Sequence, residues 1–289
     1  MESLAHMVVT DDWQLIAHRS DKETVADLID LYDRLNDCYS TYEACISAYT
    51  TRPPASTLLP EKSVLIDFYE SPPTELGRLL RDRRHDHELE CCPYCGSPKK
   101  PNELDHFIPK GDWPEFSIYP NNLVPQCWDC ARLKWMHYYC DQSNTAFFIH
   151  PIYTDLLPKV FFSVDINFID DITPPTFTPE FALQSASAQD KARIEKHLAK
   201  LQIPARFAQY CSERFIRWKN LRQRSSFTIQ SAMTQRITEN SPDGVSAQDW
   251  ETAFCFAVLA NPAVVDFYNR IQCRAKAISA PAARVVLNV

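Results

Sequence analysis

Two Cys-x-x-Cys pairs, Cys92/Cys95 and Cys127/Cys130, bracket an adjacent Asp105 and His106 and an Asn121-Asn122 step. Thiolates at this spacing suit tetrahedral zinc, because each short pair can place two sulfurs on one ion at about 2.3 Å. Gly96, directly after the first pair, supplies the positive-φ turn that a knuckle wrapped around an ion needs. A redox dithiol needs one such pair and gains nothing from a second. Cys91 adjoins Cys92, but only Cys92 has the two-residue spacing to Cys95. Structural zinc contributes roughly 10–16 kcal/mol of apparent binding in small peptides, comparable to the net stability of a domain, about 5–15 kcal/mol. The staple is therefore expected to hold this glycine-poor stretch in shape by itself. Between the pairs, residues 103–107 begin with the polar/apolar alternation of a half-buried strand, in which Asp105 and His106 point to opposite faces. One can face a metal and the other a reacting water. Neutral imidazole, with an ordinary pKa of about 6.5, can deprotonate water at physiological pH, and a carboxylate suits Mg²⁺ or Mn²⁺.

Taken together, Cys92-Pro93-Tyr94-Cys95-Gly96, Asp105-His106-Phe107 and the run from Asn122 through Cys127 and Cys130 to Lys134 resemble the zinc-containing branch of the HNH (ββα-metal) endonucleases. The resemblance is dense over this stretch and weak outside it. It implies DNA phosphodiester hydrolysis, with His106 as general base and Asp105 as a ligand of catalytic Mg²⁺ or Mn²⁺. Asn122 would fix the loop and orient the base, and Cys92, Cys95, Cys127 and Cys130 would hold structural zinc. One position departs from the pattern: where the family usually has Asn or His as the other metal ligand, this chain has Ala131. Asp105 alone leaves most of an octahedral shell to water and phosphate. On a helix His137 falls well round from Ala131, and Asp129 and His150 are unsupported substitutes. An engineered substitution, a naturally degenerate member and a borrowed ligand all remain open. The runs at 105–110, 113–117 and 147–151 are also similar to HNH proteins that work with an ATPase in bacterial anti-phage defence, which implies an ATPase partner.

The elements that must position these residues are mostly helical. Apolar residues near a 3.6 period over 21–50 predict a helix or helix pair, residues 64–69 a short buried strand or helical turn, and residues 74–87 a helix entering the knuckle. His85 and His87 are expected to face solvent, since four cysteines saturate zinc. Residues 135–140 should finish the helix that starts near Cys130, while 146–150 and 160–169 look extended. Pro174, Pro175 and Pro179 suggest a linker or wrapped loop. Ser187 with Asp190 and Ser246 with Asp249 have capping-box spacing, and Pro204 suits the first turn of a helix running to Arg224. Residues 250–259 and 263–277 suggest two more helices. The expected fold is α+β: a mainly helical protein with an embedded ββα-metal core stapled by a four-cysteine zinc site. Its expected parts are an N-terminal helical region (1–88), the core (89–152), and an extended segment followed by helices (153–289).

The composition narrows the class. A chain of 289 residues with 45% hydrophobic residues has ample material for a core. Its start is acidic where a secretory signal would be basic, and no apolar run reaches the roughly eighteen residues of a membrane span. A cytoplasmic protein with reduced thiols is expected. The net charge of −7 argues against a broad DNA-coating surface and leaves room for local basic contacts. Arg78, Arg81, Arg83 and Arg84 form one cluster, and Arg214, Arg217, Lys219, Arg222 and Arg224 another; both also read as solvated helix faces. Arg132 and Lys134 are placed to contact backbone phosphates. Two rivals stand beside the nuclease: a zinc-stapled scaffold that has lost catalysis, and a major-groove reader. Trp135, Met136, Tyr138 and Tyr139 are too apolar for the latter.

Overall fold

A computed structural model describes residues 1, 3–241 and 243–273. Five helices come first: α1 (Trp13–His18), α2 (Val25–Asp30), α3 (Tyr32–Ser47), α4 (Lys62–Glu70) and α5 (Thr74–His85). The centre holds β1 (Glu103–His106), β2 (Leu123–Gln126), α6 (Trp128–Lys134), β3 (Tyr139–Cys140) and β4 (Thr145–Ala146). Then follow β5 (Val160–Asn167), β6 (Thr176–Leu183), α7 (Ala188–Lys200), α8 (Ile203–Arg224), α9 (Ile229–Asn240), α10 (Trp250–Ala260) and α11 (Pro262–Arg270). The strands pair as three antiparallel ribbons, β1 with β2, β3 with β4 and β5 with β6. The architecture is the mainly helical α+β arrangement that the periodicities predict.

Of the two readings open for residues 64–69 the helical one holds, and three other expectations are corrected. Residues 62–70 are helical throughout, and Leu65 and Phe68, three apart, share its buried face. The central helix stops at Lys134 instead of running to Cys140. Trp135 takes φ 41°, which ends the helix, and Tyr139 enters the β3–β4 ribbon. The proline-rich segment is no linker: Thr176–Leu183 pairs along its whole length with β5, Pro179 opposite Val164. A two-stranded ribbon has two free edges, so an imino nitrogen that cannot donate is tolerated there. The cap of α10 is Asp249, which accepts from the Thr252 amide at 2.9 Å, not Ser246. Ser187 does cap α7, accepting from the Asp190 amide at 3.1 Å. Residues 274–277 of the last expected helix lie outside the described residues.

Two apolar cores hold these elements. The smaller joins Leu28, Leu35, Leu65, Phe68, Leu76 and Leu80 of the first helices to Leu104, Ile118 and Leu123. The larger contains all four motif cysteines together with Phe162 of β5, Phe207 of α8 and Trp250 of α10. Residues 89–152 therefore share buried side chains with both flanks. Gly96 marks the contact: its φ is 70°, and a Cβ there would lie 2.9 Å from the Phe162 ring and 3.1 Å from the Gln248 carbonyl oxygen. Its own carbonyl accepts from the Trp250 amide at 3.1 Å.

Candidate functional site: a four-cysteine centre beside an Asp–His strand

The knuckle closes on itself through backbone hydrogen bonds. Cys95 and Gly96 amides donate to the Cys92 carbonyl at 3.3 and 2.8 Å, and the Cys92 amide donates to the Ser97 carbonyl at 2.9 Å. α6 begins immediately after Cys127 and delivers Cys130 one turn on. All four buried sulfurs lie within 4.8 Å of one another, with Cys92–Cys130 and Cys95–Cys127 each at 3.9 Å. A tetrahedron of 2.3 Å zinc–sulfur bonds has edges of about 3.8 Å, so the four thiols fit zinc. Burial pushes the Cys92 and Cys130 thiols up, while hydrogen bonds from Cys130, Cys92 and Cys95 hold Cys127 down. A bound cation would offset the cost of keeping such sulfurs ionised and out of water.

The β1–β2 ribbon sets Asp105 opposite Val124 and His106 opposite Leu123. As strand alternation requires, the two side chains separate. Asp105 lies towards α6, where its carboxylate oxygens stand 3.0 and 3.3 Å from the Lys134 ammonium, and Oδ2 accepts from the Tyr94 hydroxyl at 3.4 Å. Lys134 also donates to the His106 carbonyl at 2.9 Å and is wholly buried. This corrects the expectation of a phosphate contact: Lys134 is one half of an internal ion pair. Burial pushes the Asp105 carboxyl up and the Lys134 ammonium down, and each partner restrains the other. Removing the ammonium by Lys134→Met leaves a buried carboxylate unpaired. The expected loss is about 3–5 kcal/mol in urea unfolding, much of it recovered in Lys134→Met/Asp105→Asn.

His106 lies on the other face. Its Nε2 donates to the Ser117 carbonyl at 2.9 Å, and Tyr69 packs edge-on against the ring at 4.3 Å. Lys110 sits 4.5 Å over that tyrosine ring. A carbonyl can only accept, so the neutral imidazole carries its hydrogen on Nε2 and its lone pair on Nδ1. Nδ1 has no partner among the described residues and is not sealed from solvent. Asp105 and His106 are each only 9% exposed, so the approach to them is narrow.

Asn122 fixes the loop that closes this site. Its Oδ1 accepts from the Ile108 amide at 2.7 Å and the Tyr42 hydroxyl at 2.8 Å; its Nδ2 donates to the Ile108 and Phe116 carbonyls at 3.0 and 3.1 Å. Phe116 adjoins Ser117, so Asn122 acts on His106 through the backbone that receives its proton.

Among the described residues, the four cysteines are the one group of three or more potential metal ligands that lie together. Ala131 offers no donor and Asp105 is engaged by Lys134, so this arrangement does not fit a tightly held second cation.

Other expected surface groups turn out to be structural. His87 is buried, its Nε2 3.1 Å from the Pro101 carbonyl and its Nδ1 accepting from the Leu89 amide, whereas His85 is exposed as expected. Arg83 donates to the Leu123 and Met7 carbonyls at 2.7 and 3.0 Å, and Arg222 to the Tyr268 carbonyl at 3.1 Å. Arg132 keeps its guanidinium 5.4 Å over the Trp128 ring. Trp128 is 56% and Trp135 71% exposed. Arg206, which no motif signals, reaches three of the four sulfurs from α8, and Tyr69 likewise carries no sign in the sequence of its place beside His106.

Four buried histidines make stability depend on acidity, and burial lowers His87 as well as the three that follow. Burial lowers His106 from 6.5 to about 3, His197 to about 4, and His150 well below the usual value. The unfolded chain takes up these protons near pH 6.5, whereas the folded chain holds them off to lower pH, to about 3 at His106 and about 4 at His197, so their contribution is complete above 6.5 and falls as pH drops below it. Asp105, pushed up, works in the opposite sense. Net loss of stability between about pH 6.5 and 4 in urea titrations is the expected outcome; an unchanged midpoint contradicts it.

Fold and site together define a ββα unit with four cysteines grouped so that they could hold a metal ion, set in a helical protein. The chain is similar to protein ea31 of Escherichia phage lambda, 35% identical over 125 residues, a stretch that covers 41% of this chain and 40% of that protein. The match thus spans less than half of the phage protein. No family model and no solved structure matches the chain. No helix among the described residues is long and apolar enough to cross a membrane.

Proposed function

We propose that residues 89–152 form an HNH-type nuclease core and that the chain hydrolyses DNA phosphodiesters at His106. The observation that carries this reading is the imidazole's fixed tautomer, with Nε2–H spent on Ser117 and Nδ1 left to take a proton from water. The hydroxide so formed attacks phosphorus, the bond to the leaving sugar oxygen breaks, and that oxygen takes a proton from solvent. Asn122 and Tyr69 hold the loop and ring in place for this step. Burial keeps His106 neutral at physiological pH and makes it a weak base, so slow turnover is expected. The HNH resemblance implies Mg²⁺ or Mn²⁺ between Asp105 and the residue at 131. Because Ala131 leaves that site incomplete, no step here runs through it. Arg132 and the exposed indoles of Trp128 and Trp135 supply a phosphate contact and stacking faces for nucleic acid.

The paired Asp105–Lys134 and the missing ligand favour a second reading, a zinc-stapled scaffold within a larger assembly. The helical flanks then supply docking surface for a partner such as the ATPase of a defence complex. Supercoiled plasmid incubated with Mn²⁺ and either the chain as it stands or His106→Ala separates the two. Slow nicking that His106→Ala abolishes supports the nuclease; nicking that survives puts the chemistry elsewhere; none in either form leaves the scaffold.

A further inference from the structure

From the contacts on its guanidinium we infer that Arg206 is the outer-sphere partner of the four-cysteine centre, through which α8 and the metal hold each other in place. Nη1 stands 3.5 Å from Cys130 Sγ, and Nη2 stands 3.7 Å from both Cys95 Sγ and Cys127 Sγ. The same group donates to the Leu201 carbonyl at 3.0 Å and lies 3.6 Å from Asp129, which Lys99 holds at 2.8 Å. Its central carbon Cζ lies 5.5 Å from the centre of the Trp250 ring. Gln202, with φ 51°, turns the chain between α7 and α8 and brings the first turn of α8 against the sulfurs.

Four thiolates around one Zn²⁺ leave a net charge of −2, buried in the larger core. A planar guanidinium can reach several sulfurs at once, is always charged and sheds water more readily than an ammonium, which suits it to this place. Hydrogen bonds to ligand atoms fix their orientation and moderate their charge, and losing such a partner commonly costs about 10–100-fold in metal affinity. Coupling is reciprocal: if Arg206 tightens the metal, the metal tightens the seat of α8. The sulfur centre is then completed from a helix that starts beyond residue 200, outside the motif that supplies the ligands.

The inference rests on the four cysteines loading zinc, so zinc per chain is measured first. The parent chain, Arg206→Met and Arg206→Lys are then compared by competition with a chromogenic chelator, by the sulfur-to-cobalt absorption of Co²⁺-loaded samples, and by protease cleavage in α8 with and without metal. One zinc per chain is expected throughout at saturation. Affinity should fall about 10–100-fold in Arg206→Met and less in Arg206→Lys, whose compact charge cannot span three sulfurs. The cobalt band should shift, and metal should protect α8 only when Arg206 is present. If Arg206→Met fails to fold, Arg206→Lys still reports affinity and band position. Zinc affinity within about twofold of the parent in both variants, or α8 protection independent of metal, overturns the role of Arg206 alone. A parent chain that binds no zinc overturns the centre with it.

Discussion

Replacing Cys127 with serine should leave the protein without its metal and without a stable fold. Serine presents a hydroxyl that stays protonated at neutral pH, so one corner of the tetrahedron is lost. The binding energy at stake, roughly 10–16 kcal/mol in isolated knuckles, matches or exceeds the net stability of a typical domain. Packing makes the loss propagate, because the same four sulfurs belong to the larger core with Phe162, Phe207 and Trp250. Three of them, on Cys95, Cys127 and Cys130, also meet Arg206 at the start of α8. Chelation of the parent chain should reproduce the effect. Zinc content near zero with collapse of the cooperative unfolding transition is the expected result; a metal-free variant with the parent's melting temperature would show that the staple is dispensable.

The second large effect is a gain. Ala131 sits one turn before Lys134 on α6, the helix that packs against β1, so a carboxamide at 131 would rise beside Asp105. Ala131→Asn therefore restores the ligand pair that the HNH resemblance assigns to Mg²⁺ or Mn²⁺, provided that Lys134 yields its hold on Asp105. A metal ion there would stabilise charge at the phosphate, a contribution that the present site lacks. If His106 is the general base as proposed, His106→Ala in that variant should cost about 10²–10⁴-fold in rate.

Much of the site is legible in the sequence because its signals are local. Cysteine spacing, the glycine after the first pair and strand alternation at Asp105-His106 each concern neighbours in the chain, and the structure assembles them as expected. The helical flanks are legible for the same reason, since apolar stripes and caps such as Ser187 act within a turn or two. What the sequence hides is decided by distant partners. Lys134 reads as a phosphate ligand because nothing local reveals that its ammonium reaches from α6 to Asp105 of β1. His87 and Arg83 read as solvated, yet backbone carbonyls elsewhere satisfy them inside the protein. The Thr176–Leu183 strand is hidden by prolines, whose local preference yields when a partner strand leaves an open edge. Arg206 carries no motif, and only the packing of α8 on the knuckle gives it a role.

The central claim, that His106 on a zinc-stapled ββα unit is poised to cut a phosphodiester, is tested most directly by Mn²⁺-dependent plasmid nicking at equal zinc loading. Ala131→Asn should nick faster than the parent, and Ala131→Asn/His106→Ala should return to background. Equal rates with and without His106, or no nicking by Ala131→Asn while it remains folded and zinc-loaded, would contradict it.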